Sequence, residues 1–153
     1  MAMNGSFFWI TLLMRWTHLV AAMVLIGTVV FMRFFLLPAA EKLDAATRAT
    51  LWERINKPWR MVLGIVILAQ IGSGLYWILA VVPMHDKPAA YQMLFTVKLL
   101  AALGLFFLLS VLAGRAPAFA KFRHDSKKWL TVCVILSAVI VLCASAMHLL
   151  PNR

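Results

Sequence analysis

The chain has 153 residues, of which 64% are hydrophobic and 13% charged, with a formal net charge of +10 and a mean hydropathy of +0.92. No soluble domain of this size has enough interior to hide that much apolar surface. The composition therefore excludes a water-soluble enzyme and points to a bilayer as the solvent.

Crossing the hydrocarbon core takes about 20 apolar residues in a helix. Four runs qualify: residues 7–37, 59–82, 91–113 and 129–150. They predict an all-α protein, a four-helix transmembrane bundle forming one integral membrane domain over residues 1–153. The first run lacks a basic leader and far exceeds the usual signal-peptide core of about 7–15 residues, so it reads as a retained helix. Phe8, Trp9 and Trp16 are suited to the membrane interface. Between Trp16 and Met32 the only ionisable group is His18.

Pro38 is expected to end this helix. Residues 41–55 are rich in helix formers, with Leu43, Ala46, Leu51 and Ile55 at roughly helical spacing. That pattern predicts an amphipathic helix lying in the interface between the first two spanning helices. Lys57-Pro58-Trp59 then reads as the start of the second, since proline costs little at a helix start. Met84-His85-Asp86-Lys87-Pro88 reads as a tight turn. Lys98 interrupts the third run, and Gly114-Arg115-Ala116-Pro117 stops it. Residues 118–128 suit either a helical continuation or a loop.

The positive charge is unevenly placed. Arg33, Lys42, Arg48, Arg54, Lys57 and Arg60 flank or occupy the first connection, and Arg115, Lys121, Arg123, Lys127 and Lys128 the third. The second connection holds only Lys87 and the C-terminal tail only Arg153. Lys and Arg accumulate in cytoplasmic loops. The expected location is thus a bacterial plasma (inner) membrane, with connections one and three inside and both termini outside. The basic excess is accounted for by this topology and by attraction to the anionic lipid bilayer, so no nucleic-acid partner is expected. A homo-oligomer or a larger membrane complex is compatible with the pattern.

Ionisable groups inside spanning helices are costly and are functional candidates by default. At 1.5 Å per residue, His18 lies roughly 15–18 Å below the outer end of its helix and Lys98 about 10–12 Å below its own. Gln70 falls near the middle of helix two and His148 at the outer end of helix four. Small residues stand near each: Ala21 and Ala22, Ala101 and Ala102, Ser73 and Gly74, Ala144 and Ser145. Small faces allow close helix approach and polar groups bond across them, so these four faces are expected to meet. His124, in a basic connection, is expected to be solvated.

Imidazole suits copper, zinc and haem iron, and thioether suits Cu(I). Met84-His85 and Met147-His148 place both ligand types at the outer face. Cys133 and Cys143 stand about 15 Å apart along one helix, too far for an intrahelical disulfide. There is no CxxC, HExxH or phosphate loop, and the acids are confined to the connections, which argues against hydrolytic chemistry.

Arg15-Trp16-Thr17-His18-Leu19, with Gly27 nine residues after the histidine, resembles the first helix of the copper-resistance protein D (CopD-like) membrane family. Thr96-Val97-Lys98-Leu99-Leu100 resembles that family's lysine-bearing third helix. The same His and Lys pattern is similar to that of the HemJ family of membrane protoporphyrinogen oxidases, which resemble four-helix haem proteins. The resemblance implies importance for His18 and Lys98. After the first helix, Arg33-Phe34-Phe35-Leu36-Leu37-Pro38 departs from the HemJ signature Tyr-Leu-Pro-Arg-Leu-Phe.

Three functions follow as expectations. The first is a metal-handling membrane protein, with copper held by His18, His148, His85, Met84 and Met147 and supported by Lys98. The second is a b-type haem oxidoreductase, with His18 as axial ligand and Arg15 or Lys98 pairing with haem propionates or an acidic substrate. The third is a non-catalytic accessory subunit. Copper is the favoured expectation and haem b the alternative.

Overall fold

A computed structural model gives the fold and describes residues 5–81, 87–114 and 116–150. Four helices among these are long and apolar enough to cross a membrane: Gly5–Glu41, Ala45–Val81, Ala89–Ala113 and Ser126–Leu149. The chain is an all-α bundle.

The first spanning helix is built from α1 (Gly5–Phe31), a π-helical segment (Met32–Leu36) and α2 (Leu37–Glu41). It does not stop at Pro38, as the sequence suggests, but passes through it. A proline has no N–H and its ring crowds the carbonyl four residues back. The preceding π turn absorbs this by widening: the Leu37 N–H bonds to the Met32 carbonyl, five residues back instead of four.

A tight elbow at residues 42–44 follows, and Asp44 caps the next helix. Its carboxylate accepts from the N–H groups of Ala46 at 3.1 Å and Thr47 at 3.0 Å, satisfying two donors that a helix start leaves unpaired. The Thr47 side chain, as the largest cause, and then the N–H groups of Thr47 and Ala46 hydrogen-bond the Asp44 carboxylate and hold it below its ordinary range.

Helix α3 (Ala45–Tyr76) runs on into a second π segment, Trp77–Val81. The expected interfacial helix at 41–55 is thus helical over most of its length but is not a separate element; it is the first turns of the second spanning helix. Pro58 lies inside α3 instead of starting a new helix. Its missing N–H leaves the Arg54 carbonyl without a helical donor. Glu53, Arg54 and Lys57 around it are exposed, so water can serve that carbonyl. In both long helices a proline stands two residues beyond the π segment in sequence, Pro38 after Leu36 and Pro83 after Val81.

Helix α4 (Ala89–Ala113) is followed by a 3-10 turn (Pro117–Phe119), the short α5 (Ala120–His124) and α6 (Ser126–Leu149). The undecided third connection is therefore largely helical. Helices α1 and α3 form one antiparallel hairpin, and α4 and α6 form the other, more extensively packed. Contacts of α3 with α4 and of α1 with α6 close the square.

Packing differs between the two ends. Toward the basic end the core is large and aliphatic: Leu25, Val29, Leu63, Leu105, Leu108 and Leu109 are buried together with Ala113 and Cys133. Arg33 Nε donates to Thr131 Oγ1 at 2.7 Å, and Lys127 pairs with Glu41 at 3.7 Å; both link the hairpins at that end. From the middle toward the other end the buried residues are small: Ala21, Ser73, Ala101 and Cys143. Large apolar side chains such as Trp9, Leu13, Met23, Leu68 and Leu142 face outward, as a lipid-facing surface requires.

Candidate functional site

The polar residues of the first hairpin lie in register along one seam. On α1, Thr11 and His18 are seven residues apart, two helical turns, and share a face. On α3, Gln70, Ser73 and Tyr76 recur every three residues. The helices run antiparallel, so the two sets pair in order. Thr11 Oγ1 and the Tyr76 hydroxyl lie 2.8 Å apart. Further in, His18 Nδ1 lies 3.0 Å from Ser73 Oγ and His18 Nε2 lies 3.0 Å from Gln70 Nε2.

The hydroxyl of Ser73 has one proton, and it is directed to the Ala69 carbonyl at 2.6 Å. Ser73 Oγ is therefore the acceptor toward His18, and Nδ1 carries the hydrogen. Nε2 is then the lone-pair nitrogen, accepting from the Gln70 amide. Every polar atom of the imidazole is committed, and the tautomer follows from the partners. Gly74 lies against the ring: a Cβ there would sit 3.5 Å from His18 Cε1, an ordinary van der Waals contact. Gln70 Oε1 is buried with no partner among the described residues.

Lys98, on α4 of the other hairpin, lies close enough to His18 and to Cys143 to act on both electrostatically. It is half-buried and makes no hydrogen bond or ion pair with a described residue. The two ionisable groups singled out by the sequence are both half-buried, with no hydrogen bond between them. Ser73, Thr11 and Tyr76 complete the seam without standing out from the sequence as ionisable groups do. Their seven- and three-residue spacings were the available signal.

The remaining candidates are dispersed. Arg15 is exposed one turn above His18, without a partner among the described residues. His148 is exposed and Met147 half-buried at the end of α6. Met84 and His85 lie outside the described residues. His124 is exposed at the basic end, where Nδ1 meets the Asp125 carboxylate at 3.1 Å. Among the described residues no group of three or more His, Cys, Asp or Glu is placed to hold a metal ion. What the site offers is one oriented imidazole, one amide that can release it, and one ammonium. Comparison with known protein families, with curated proteins and with solved structures finds no match.

Proposed function

We propose that this chain is a membrane-embedded b-type haem protein with a redox role, in which His18 is the axial ligand through Nε2. The observation that carries this reading is the state of the imidazole. Metal-ligating histidines almost always give their other ring N–H to an oxygen acceptor, which sets tautomer and ring orientation. Ser73 does this for His18, leaving Nε2 as the lone-pair atom, engaged only by a side-chain amide. The Gln70 N–H stands where an electron-pair acceptor is needed.

The residues present fit the group. Haem iron needs one or two protein ligands, whereas a copper site built from side chains needs several converging ones. The small buried residues Ala21 and Ser73 stand on the two helices that hold the imidazole. Lys98 and Arg15 supply cations of the kind that pair with carboxylates. A bound haem would supply a one-electron couple within the bilayer. The chain's own residues would orient the ligand, exclude water and balance the acidic groups of the cofactor. The resemblance of the residues around His18 and Lys98 to CopD-like and HemJ proteins supports the same pair. Copper handling by His18, His148, His85, Met84 and Met147 stands second, because His148 is exposed at a helix end while His18 is enclosed in its seam.

The test is the absorption spectrum of detergent-purified protein from cells supplied with a haem precursor. A Soret band with stoichiometric haem is expected. Colourless protein carrying stoichiometric copper, or carrying neither, would overturn the reading.

A further inference from the structure

At the basic end, away from His18, the bundle forms a half-open cavity of about 420 Å³, within the range of small-ligand sites. Its floor is apolar: Leu37, Ala40, Leu109, Ala113 and Leu130 line it and are all buried. Its rim is polar and aromatic. Arg48, Trp52, Asn56 and Trp59 form one stripe along α3 at helical spacing and line the opening, with Arg123 across from them.

The charge at this rim is positive. Arg48 is exposed, and its guanidinium has no hydrogen-bond or ion-pair partner among the described residues. Arg123 spends one N–H on the Ala116 carbonyl at 3.0 Å, leaving the rest of its five donors. Glu41 also lines the cavity, but Lys127 balances it at 3.7 Å. His124 at the rim faces its own acid, Asp125. Trp52 and Trp59 are the side chains that favour a boundary with one apolar and one wet side.

An apolar pit leading out between two tryptophans to an arginine matches a molecule with a hydrocarbon body and an anionic head. We infer that this cavity binds an anionic amphiphile, with the acyl portion against Leu109 and Leu130 and the phosphate or carboxylate head at Arg48 and Arg123. Basic pockets between spanning helices take anionic lipid headgroups by the same chemistry. The overhanging first turns of α3, which would otherwise lie free in the interface, form the wall that makes the pocket.

The experiment uses the full chain in a neutral detergent, titrated separately with dioctanoyl phosphatidylglycerol, dioctanoyl phosphatidylcholine and inorganic phosphate. Binding is read by tryptophan fluorescence and thermal stability. The phosphatidylglycerol is expected to bind at least about tenfold more tightly than the phosphatidylcholine, a difference of about 1.4 kcal/mol. Arg48→Gln is expected to remove that preference, while Arg54→Gln, on the same helix but off the rim, retains it; both sites are exposed, so folding is preserved. Equal binding of the two lipids, or equal loss in both variants, would reduce the effect to general surface attraction and overturn the site. Inorganic phosphate competing as well as the lipid would overturn the amphiphile in favour of a soluble anion.

Discussion

Ser73 fixes His18. Its single hydroxyl proton goes to the Ala69 carbonyl at 2.6 Å, so its oxygen accepts from His18 Nδ1 at 3.0 Å. Removing that acceptor with Ser73→Ala strands a ring N–H beside an apolar methyl, at a cost of about 1–3 kcal/mol for an unsatisfied group. On the haem reading, affinity is expected to fall roughly 10–100-fold, as for other partners of metal-bound histidines. Haem titration of the apoprotein measures it, and unchanged affinity would show that the serine does not orient a ligand.

His18→Ala is expected to remove haem altogether, while His85→Ala, His124→Ala and His148→Ala retain it. His124 and His148 are exposed, where water replaces a lost imidazole. Haem content by pyridine haemochrome assay decides the matter. A correctly folded His18→Ala protein with full haem content would reduce the histidine to a packing residue.

Gln70 has the opposite expected sign. Its amide occupies the Nε2 lone pair and leaves Oε1 buried without a donor. Gln70→Leu removes a hydrogen bond that ligand binding must break, worth about 0.5–1.5 kcal/mol. Haem affinity is expected to rise by a few-fold, with the melting temperature of the apoprotein nearly unchanged. A marked loss of affinity would make Gln70 a ligand-side partner instead.

The four spanning helices were legible because they stand out by contrast: long apolar runs against charged connections. The hydroxyl partners were not. Ser73 satisfies itself on the carbonyl four residues back, as serines do in many membrane helices, so its presence carries no signal until its neighbour across the seam is known. Pro38 and Pro58 read as boundaries because proline usually is one. The π turn at Met32–Leu36 and the exposed surroundings of Pro58 let the helices continue through them, and neither compensation is visible in composition.

Asp44 gives a pH-dependent expectation at the elbow. The folded state holds its carboxyl below the ordinary range, so the folded state binds its proton less readily than the unfolded one. The stabilisation is then complete above the ordinary carboxylate value of about 4 and is lost as pH falls below it, through the folded value. Asp44→Ala is expected to speed hydrogen exchange at the amides of Ala46 and Thr47 at neutral pH, with the difference from wild type shrinking near pH 3. A difference that persists unchanged at pH 3 would contradict the assignment of the cap to the ionised carboxylate.

Topology is checked by labelling in a background lacking Cys133 and Cys143. A cysteine at Lys87 is expected to react with an impermeant reagent in intact cells, and one at Ala118 only after permeabilisation. The reverse pattern would invert the bundle and place the basic rim outside.

The unequal packing of the two ends has a mechanical consequence. The contacts that join the hairpins, Arg33 to Thr131 and Lys127 to Glu41, lie where the large aliphatic side chains interlock. Beyond the middle, the buried surfaces are alanine, serine and cysteine, which surrender little dispersion energy when they part. The molecule is built like a clothes-peg, sprung at its basic end. Separation of the hairpins is therefore expected to begin at the small-residue end, while the leucine and valine half keeps its grip.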